Sequence, residues 1–155
     1  MNPSRRTTLK AGAGLGAWGI LAAAGIITPL AAQAAWNKNA FEAKDLASAL
    51  AALSANGAVD AKDIALTAPD IAENGAVVPL GISASLPGAD LCAILIQKNI
   101  TPLAALFTLP AGTEANVQTR CKMGQTSNVY ALVRANGKYY TAKKEVKVTL
   151  GGCGG

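Results

Sequence analysis

The chain has 155 residues, a formal net charge of +5, 51% hydrophobic and 5% aromatic residues, and no histidine. Without an imidazole there is no His-based general acid–base pair, no Ser-His-Asp or Cys-His nucleophile, and little to hold zinc or copper. The three cysteines at 92, 121 and 153 show no CxxC spacing, and no glycine-rich phosphate loop follows a strand, so the chain reads as a non-enzyme with no metal and no cofactor of its own.

Residues 1–34 read as a cleaved export signal. Arg5, Arg6 and Lys10 form a basic start, and a long run rich in Ala and Gly follows. Ala32-Gln33-Ala34 then supplies a small-x-small cleavage pattern. The apolar run approaches membrane-spanning length, but its many Ala and Gly residues and the cleavage pattern favour removal over a stable membrane anchor. The pair Arg5-Arg6 resembles a twin-arginine signal, which exports folded proteins; Thr8 stands where that signal usually has Phe.

Removing Arg5, Arg6 and Lys10 leaves 11 basic against 9 acidic residues, a balance that does not call for nucleic acid. The distribution says more than the total. Residues 35–90 carry three lysines against seven acids, whereas residues 91–155 carry eight basic residues against Glu114 and Glu145. The half bearing Cys153 is positive, which is either ordinary surface charge or attraction for an anionic substrate or an acidic partner.

Residues 35–150 suit one domain with its own core. It opens with one expected helix, capped by Asn39 with Glu42 reaching back. Ala43, Leu46, Ala47, Leu50 and Leu53 recur along one face, and Asn56-Gly57 ends the run. The pattern then shortens to strand length in "DIALTAP", "AVVPLGISAS", "LCAILIQKN", "LAALFTL", "EANVQTRCK", "TSNVYALVRA" and "KYYTAKKEVKVTL". Seven such strands predict a mainly β fold, a seven-stranded immunoglobulin-like β-sandwich with a short N-terminal helix. Pro79 points to an edge or a bulge, and Asn136-Gly137 to a two-residue hairpin. Val146, Val148 and Leu150 alternate with Glu145, Lys147 and Thr149, which turns one face of the last strand inward. "LCAILI" is apolar on both faces, so it is buried on both sides or meets a partner; "PLAALF" is a second stretch for a partner face.

Cys92 and Cys121 could form a disulfide in an exported chain. In immunoglobulin strand order, however, Cys92 opens the third strand and Cys121 closes the fifth, at opposite ends of the sandwich, whereas a bridge needs Cα atoms within about 7 Å. Both sit among apolar residues on alternating faces and read equally as small buried hydrophobes.

Residues 151–155 form an expected flexible arm. Gly151, Gly152, Gly154 and Gly155 carry no Cβ, and five extended residues reach about 17 Å. Such an arm is thin enough to enter a narrow channel with Cys153 near its tip. No Lys, Arg or helix N-terminus adjoins that thiol in sequence to activate it, so it reads as a group handled in other proteins' active sites. The bland reading is a disordered end with an incidental cysteine.

"EVKVTLGGCGG" resembles the C-terminus of the SoxY family, the sulfur-carrier subunit of the SoxYZ complex in the Sox thiosulfate-oxidation pathway. The arginine-paired signal, the helix "FEAKDLASALAAL" and the stretch "TRCKMGQTSNVYALVRANGKYY" extend the resemblance over nearly the whole chain. It implies a periplasmic protein that pairs with a SoxZ-type subunit and carries sulfur intermediates covalently on Cys153. It further implies a SoxAX-type c-type cytochrome that couples thiosulfate to the thiol and a SoxB-type hydrolase that releases sulfate and leaves a persulfide. Where one exists, a sulfane dehydrogenase oxidises that persulfide. Carrier chemistry needs neither Cys92 nor Cys121.

Two other readings use the same tail. Ubiquitin-like carriers end in Gly-Gly and hold sulfur as a thiocarboxylate, but they are cytoplasmic and need no cysteine there. An exported immunoglobulin-like interaction module could use Cys153 for an intermolecular disulfide.

Overall fold

Two short helices, rather than one, begin the computed structural model, which describes residues 37–149. The expected signal with Arg5 and Arg6, and the arm with Cys153, lie outside the described residues. Helix α1 spans Lys38–Glu42 and α2 spans Leu46–Ala52. The cap of α1 is Asn37 rather than Asn39, its side chain accepting from the Ala40 N–H at 3.1 Å. The break follows from Asp45. Its backbone is extended, and its carboxylate takes the Ser48 N–H at 2.8 Å and the Ser48 hydroxyl at 2.7 Å, which starts a second helix. Nor does Asn56-Gly57 end α2. Ser54 does, turning left-handed at φ 60° while the Ala55 N–H reaches the Leu50 carbonyl at 2.8 Å.

The described residues form a mainly β fold, with nine strands among them where seven are expected. They are β1 (Val59–Asp60), β2 (Ile64–Thr67), β3 (Ile71–Ala72), β4 (Val78–Ala84), β5 (Ala89–Ile96), β6 (Leu103–Thr108), β7 (Ala115–Cys121), β8 (Ser127–Ala135) and β9 (Lys138–Val148). All seven expected strands form; the two additions are the two-residue strands β1 and β3, which run parallel to β9. One sheet has the order β1-β9-β8-β5-β6, with β3 also on β9, and the other the order β2-β4-β7.

Three layers result. Ile64, Val78, Leu80, Ile82 and Ala115 of the small sheet share a core with Cys92, Ile94, Ile96, Val129, Val133 and Val146 of the large one. On the far side of the large sheet, Leu91, Ala93, Leu95 and Leu132 pack under Ala40, Ala49 and Leu53 of the helical segment. This explains the two-faced apolar run "LCAILI". Strand β5 lies between β6 and β8, with one face against the small sheet and the other against the helices. Its residues 91–96 are all buried, so this stretch does not supply a partner face. Strand β6 is an edge of the large sheet, and its side chains from Ala104 to Phe107 are half-buried.

Pro79 lies in β4, the middle strand of the small sheet, rather than in an edge strand. Strand β2 pairs only with Gly81–Ala84, so β4 has no partner on that side at Pro79 and is locally an edge there. The hairpin at Asn136-Gly137 forms as expected, with φ 51° and 73°.

At that hairpin end, Asp90 sits where the β5–β8 register shifts and takes both forks of Arg134, at 2.7 Å from Nε and 3.0 Å from Nη2. The hydrogen-bonding guanidinium holds the Asp90 carboxyl below its ordinary range. A depressed carboxylate contributes stability above its unfolded-state range and loses that contribution as pH falls through its lower folded-state value. The pair is about half exposed, with side-chain accessibilities of 34% and 49%, so Asp90→Asn is expected to cost under about 1 kcal/mol at neutral pH. Thermal melts of the variant and the parent should converge as pH is lowered through the acid range; a constant gap would reject the assignment.

Candidate functional site

Strand β9 leads into the tail, and the described part of the site is the platform from which the tail departs. Three segments meet there: the strap 68–75, the β7–β8 connection 122–126, and the end of β9. Successive backbone N–H groups of β9 point to alternate sides, and each finds a partner. The Lys147 N–H donates to the Asp70 carbonyl at 3.0 Å and the Thr149 N–H to the Ala72 carbonyl at 3.2 Å, both in the strap. Between them, the Val148 N–H donates to Thr126 Oγ1 on the β8 side at 3.0 Å. Val146 is fully buried, whereas Glu145, Lys147 and Thr149 are exposed, which matches the alternation of the sequence. The backbone is thus held on both sides up to Thr149.

The strap is itself fastened. Lys144 Nζ donates to the Ala68 carbonyl at 2.6 Å and pairs with the Asp70 carboxylate at 3.0 Å. Asn74 closes a turn by accepting the Ala76 N–H at 2.9 Å. The Met123 N–H donates to the Gly75 carbonyl at 2.7 Å. A Cβ at Gly75 would stand 2.4 Å from the Met123 oxygen and 2.9 Å from Val148 Cγ1, so only glycine lets the strap approach the end of β9 this closely. No motif in the sequence marks Gly75; the close approach exists only once three distant segments are brought together.

Cys153 and Gly151, Gly152, Gly154 and Gly155 lie outside the described residues. The other two thiols are described, and both are free and buried. Cys92 is fully enclosed, and desolvation pushes its pKa up to about 11. Burial likewise raises the Cys121 thiol. They belong to different sheets: Cys92 lies opposite Val133 and Phe107, and Cys121 opposite Val78. Both line the shared core as small apolar groups, and neither reaches the surface as a nucleophile.

Among the described residues no group of three or more His, Cys, Asp or Glu is gathered to hold a metal ion. No helix among them is long and apolar enough to cross a membrane. The basic residues of the C-terminal half are mostly without ion pairs. Among the described residues, only Arg134 and Lys144 of that half form salt bridges, which leaves Lys98, Arg120, Lys122, Lys138, Lys143 and Lys147 uncompensated.

The family model described as sulfur oxidation protein SoxY matches residues 50–153, from within α2 through Cys153. Among solved structures, the sulfur carrier protein SoxY from Chlorobium limicola f thiosulfatophilum is similar at 36% identity and a TM-score of 0.58; the alignment covers 64% of this chain and 93% of that one. A chain from a structure concerning T cell specificity and activation by the bacterial superantigen toxic shock syndrome toxin-1 aligns at 9% identity and a TM-score of 0.40, covering 56% and 99% respectively, and carries no weight. No curated protein matches the chain.

Proposed function

Because the chain belongs to the SoxY family of sulfur oxidation proteins, we propose that it is a periplasmic carrier that holds sulfur intermediates covalently on Cys153 and presents them to partner enzymes. The observation that carries this reading is the pairing of a family match running through Cys153 with a backbone clamped up to Thr149. A carrier needs a firm base and a pliant arm. The strap supplies the base, and the glycines at 151, 152, 154 and 155 supply the arm. The domain layout follows: an export signal over 1–34, a carrier domain over 35–150 and an arm over 151–155. The two sheets packed over one core are read as an immunoglobulin-like sandwich with β1 and β3 added beside β9.

The chemistry balances with two partner enzymes. Oxidative coupling joins the Cys153 thiol to the sulfane sulfur of thiosulfate. An S–S bond forms, one proton leaves, and two electrons pass to a SoxAX-type c-type cytochrome. A SoxB-type hydrolase then cleaves the bond between that sulfur and the sulfonate with water, which releases sulfate and leaves a persulfide on Cys153. A sulfane dehydrogenase, where present, oxidises the persulfide sulfur for a second hydrolysis. A SoxZ-type subunit completes the carrier. The chain itself binds no cofactor in this scheme and supplies the attachment atom.

The surface at the tail end supports docking there. Four large apolar side chains are exposed among the described residues, Val59, Ile71, Val77 and Ile100, the last 85% exposed. Three of them belong to that end: Ile71 lies opposite Lys147, Val77 precedes β4, and Ile100 sits between β5 and β6. Exposed apolar groups amid uncompensated lysines suit partner proteins that offer an acidic rim.

Intact mass of the protein from cells oxidising thiosulfate tests the reading. Sulfur or thiosulfate adducts mapping to Cys153 are expected; an unmodified thiol would overturn it. The arm's thinness is tested separately. Gly152→Trp should slow loading by the partner enzymes by about tenfold or more while leaving the melting temperature unchanged, as a bulky side chain does in a narrow channel. Loading at the parent rate would reject entry into a channel.

A further inference from the structure

The outer face of the small sheet carries a cleft of about 730 Å³ that none of the proposed steps uses. It opens because β2 stops short. Thr67 is the last residue of β2 and pairs with Gly81, whereas β4 runs on past Pro79 to Val78. The Ser85 N–H donates to the Asp63 carbonyl at 3.0 Å, so the odd-numbered residues of β4 turn their backbone towards β2. Pro79 therefore turns a carbonyl, and no N–H, to a side that β2 has already left. Gly81 keeps the floor low, since a Cβ there would stand 3.3 Å from Gln118 Cγ and 3.5 Å from Thr67 Cβ.

Across the floor, Arg120 lies opposite Pro79 and Gln118 opposite Gly81. One step on, Lys122 and Val77 extend the same face. Thr67, Val77, Pro79, Gln118, Arg120 and Lys122 are all exposed, so the face is apolar along β4 and basic along β7. Neither Arg120 nor Lys122 has an ion pair among the described residues. No acidic side chain among them lines the cleft. Asp70, the chain neighbour of Pro69 in the cleft wall, is already engaged by Lys144 at 3.0 Å.

We infer that this cleft is a docking groove for an extended segment of a partner protein, which lays an apolar side chain over Pro79 and a carboxylate against the Arg120 guanidinium. The lining selects that occupant. A small inorganic anion would answer Arg120 but leave most of the cleft empty, and a purely apolar chain would leave the guanidinium without a counterion. A segment in strand form continues the track that β2 abandons and offers a backbone N–H to the Pro79 carbonyl. A carboxylate meets the planar guanidinium through two parallel hydrogen bonds, which fixes the segment's register as well as its charge. The groove stands apart from the chemistry at Cys153. It gives a partner a place to hold the domain whichever species the thiol carries.

Two short end-blocked peptides serve as probes, one alternating valine with aspartate and the other valine with lysine. The aspartate peptide is expected to shift the amides of Thr67, Ala68, Gly81, Gln118 and Arg120 in the purified protein, with a Kd on the order of 1 mM or tighter. Arg120→Glu should weaken that binding about tenfold or more, because it sets like charges against each other. Thr67→Trp lays a ring over the cross-strand Gly81, fills the cleft without changing a charge, and should abolish the shifts. Both positions are exposed, so both variants should melt with the parent. Unmoved amides, equal shifts with the lysine peptide, or parent-like affinity in Arg120→Glu would each overturn the inference. Equal shifts with sodium sulfate would mark a simple anion site, and shifts that grow with protein concentration alone would mark a second copy as the occupant; either overturns it too. Every measurement uses protein with Cys153 unloaded, so these outcomes are independent of whether cells load that thiol, which intact mass decides.

Discussion

Replacing Cys153 with serine is expected to remove every sulfur adduct from the protein and to reduce thiosulfate-dependent sulfate formation in a reconstituted system to background, with no change in melting temperature. The size of the effect follows from the other two thiols. Cys92 is fully buried with its pKa pushed up to about 11, and Cys121 is buried and raised in the same direction. Raised from an ordinary 9.0 to about 11, the Cys92 thiol offers about 100-fold less thiolate at neutral pH. Access separates them further, because each lies in the core between the two sheets. Neither can stand in for Cys153. Conversely, Cys92→Ser and Cys121→Ser should load normally; their cost falls on stability, since each places a hydroxyl in an apolar core. Intact mass after exposure to thiosulfate and the cytochrome partner reads all three variants together. An adduct persisting in Cys153→Ser, or lost in Cys121→Ser with the fold intact, would sink the assignment.

Gly75→Ala is expected to lower stability by about 1–3 kcal/mol, as forced overpacking does, and to loosen the base of the arm first. The added Cβ meets the Met123 carbonyl oxygen at 2.4 Å and Val148 Cγ1 at 2.9 Å. A side-chain tip can swing away, but the Met123 carbonyl oxygen belongs to the backbone and cannot. The strap must therefore retreat from the β7–β8 connection or from β9. Retreat breaks the hydrogen bond from Met123 to Gly75 and weakens those from Lys147 and Thr149 to the strap. Hydrogen exchange should accelerate at Lys147 and Thr149 more than at Val129 or Val133 in the core of β8. The melting temperature should fall by roughly 4 °C per kcal/mol. Parent-like exchange at Lys147 and Thr149 would show that the strap does not clamp the exit of β9.

Much of the fold was legible because it depends on neighbours in sequence. The seven longer strands carry their own period, Asn136-Gly137 admits the left-handed backbone its hairpin needs, and Val146 faces inward because alternation leaves it no other side. The break between α1 and α2 was missed although its cause is local. The apolar spacing from Ala43 to Leu53 suits a single helix, and only the conformation of Asp45 shows that its carboxylate starts a new one. Pro79 shows the opposite case. It points to an edge, and it sits at one only locally within a central strand, because β2 stops at Gly81, a property of a different segment.

The proposed carrier thiol is legible in the sequence alone. Four glycines around Cys153, behind an alternating strand and an export-type start, carry the resemblance to the SoxY family without any packing. The tertiary structure decided everything that gives the thiol a context: which two cysteines are silent and how the end of β9 is held. Strand β3 has only two residues and pairs in parallel with a segment more than seventy positions away. No local period can announce such a contact, because its stability comes from the packing of Gly75, Met123 and Val148 rather than from the propensity of Ile71 and Ala72.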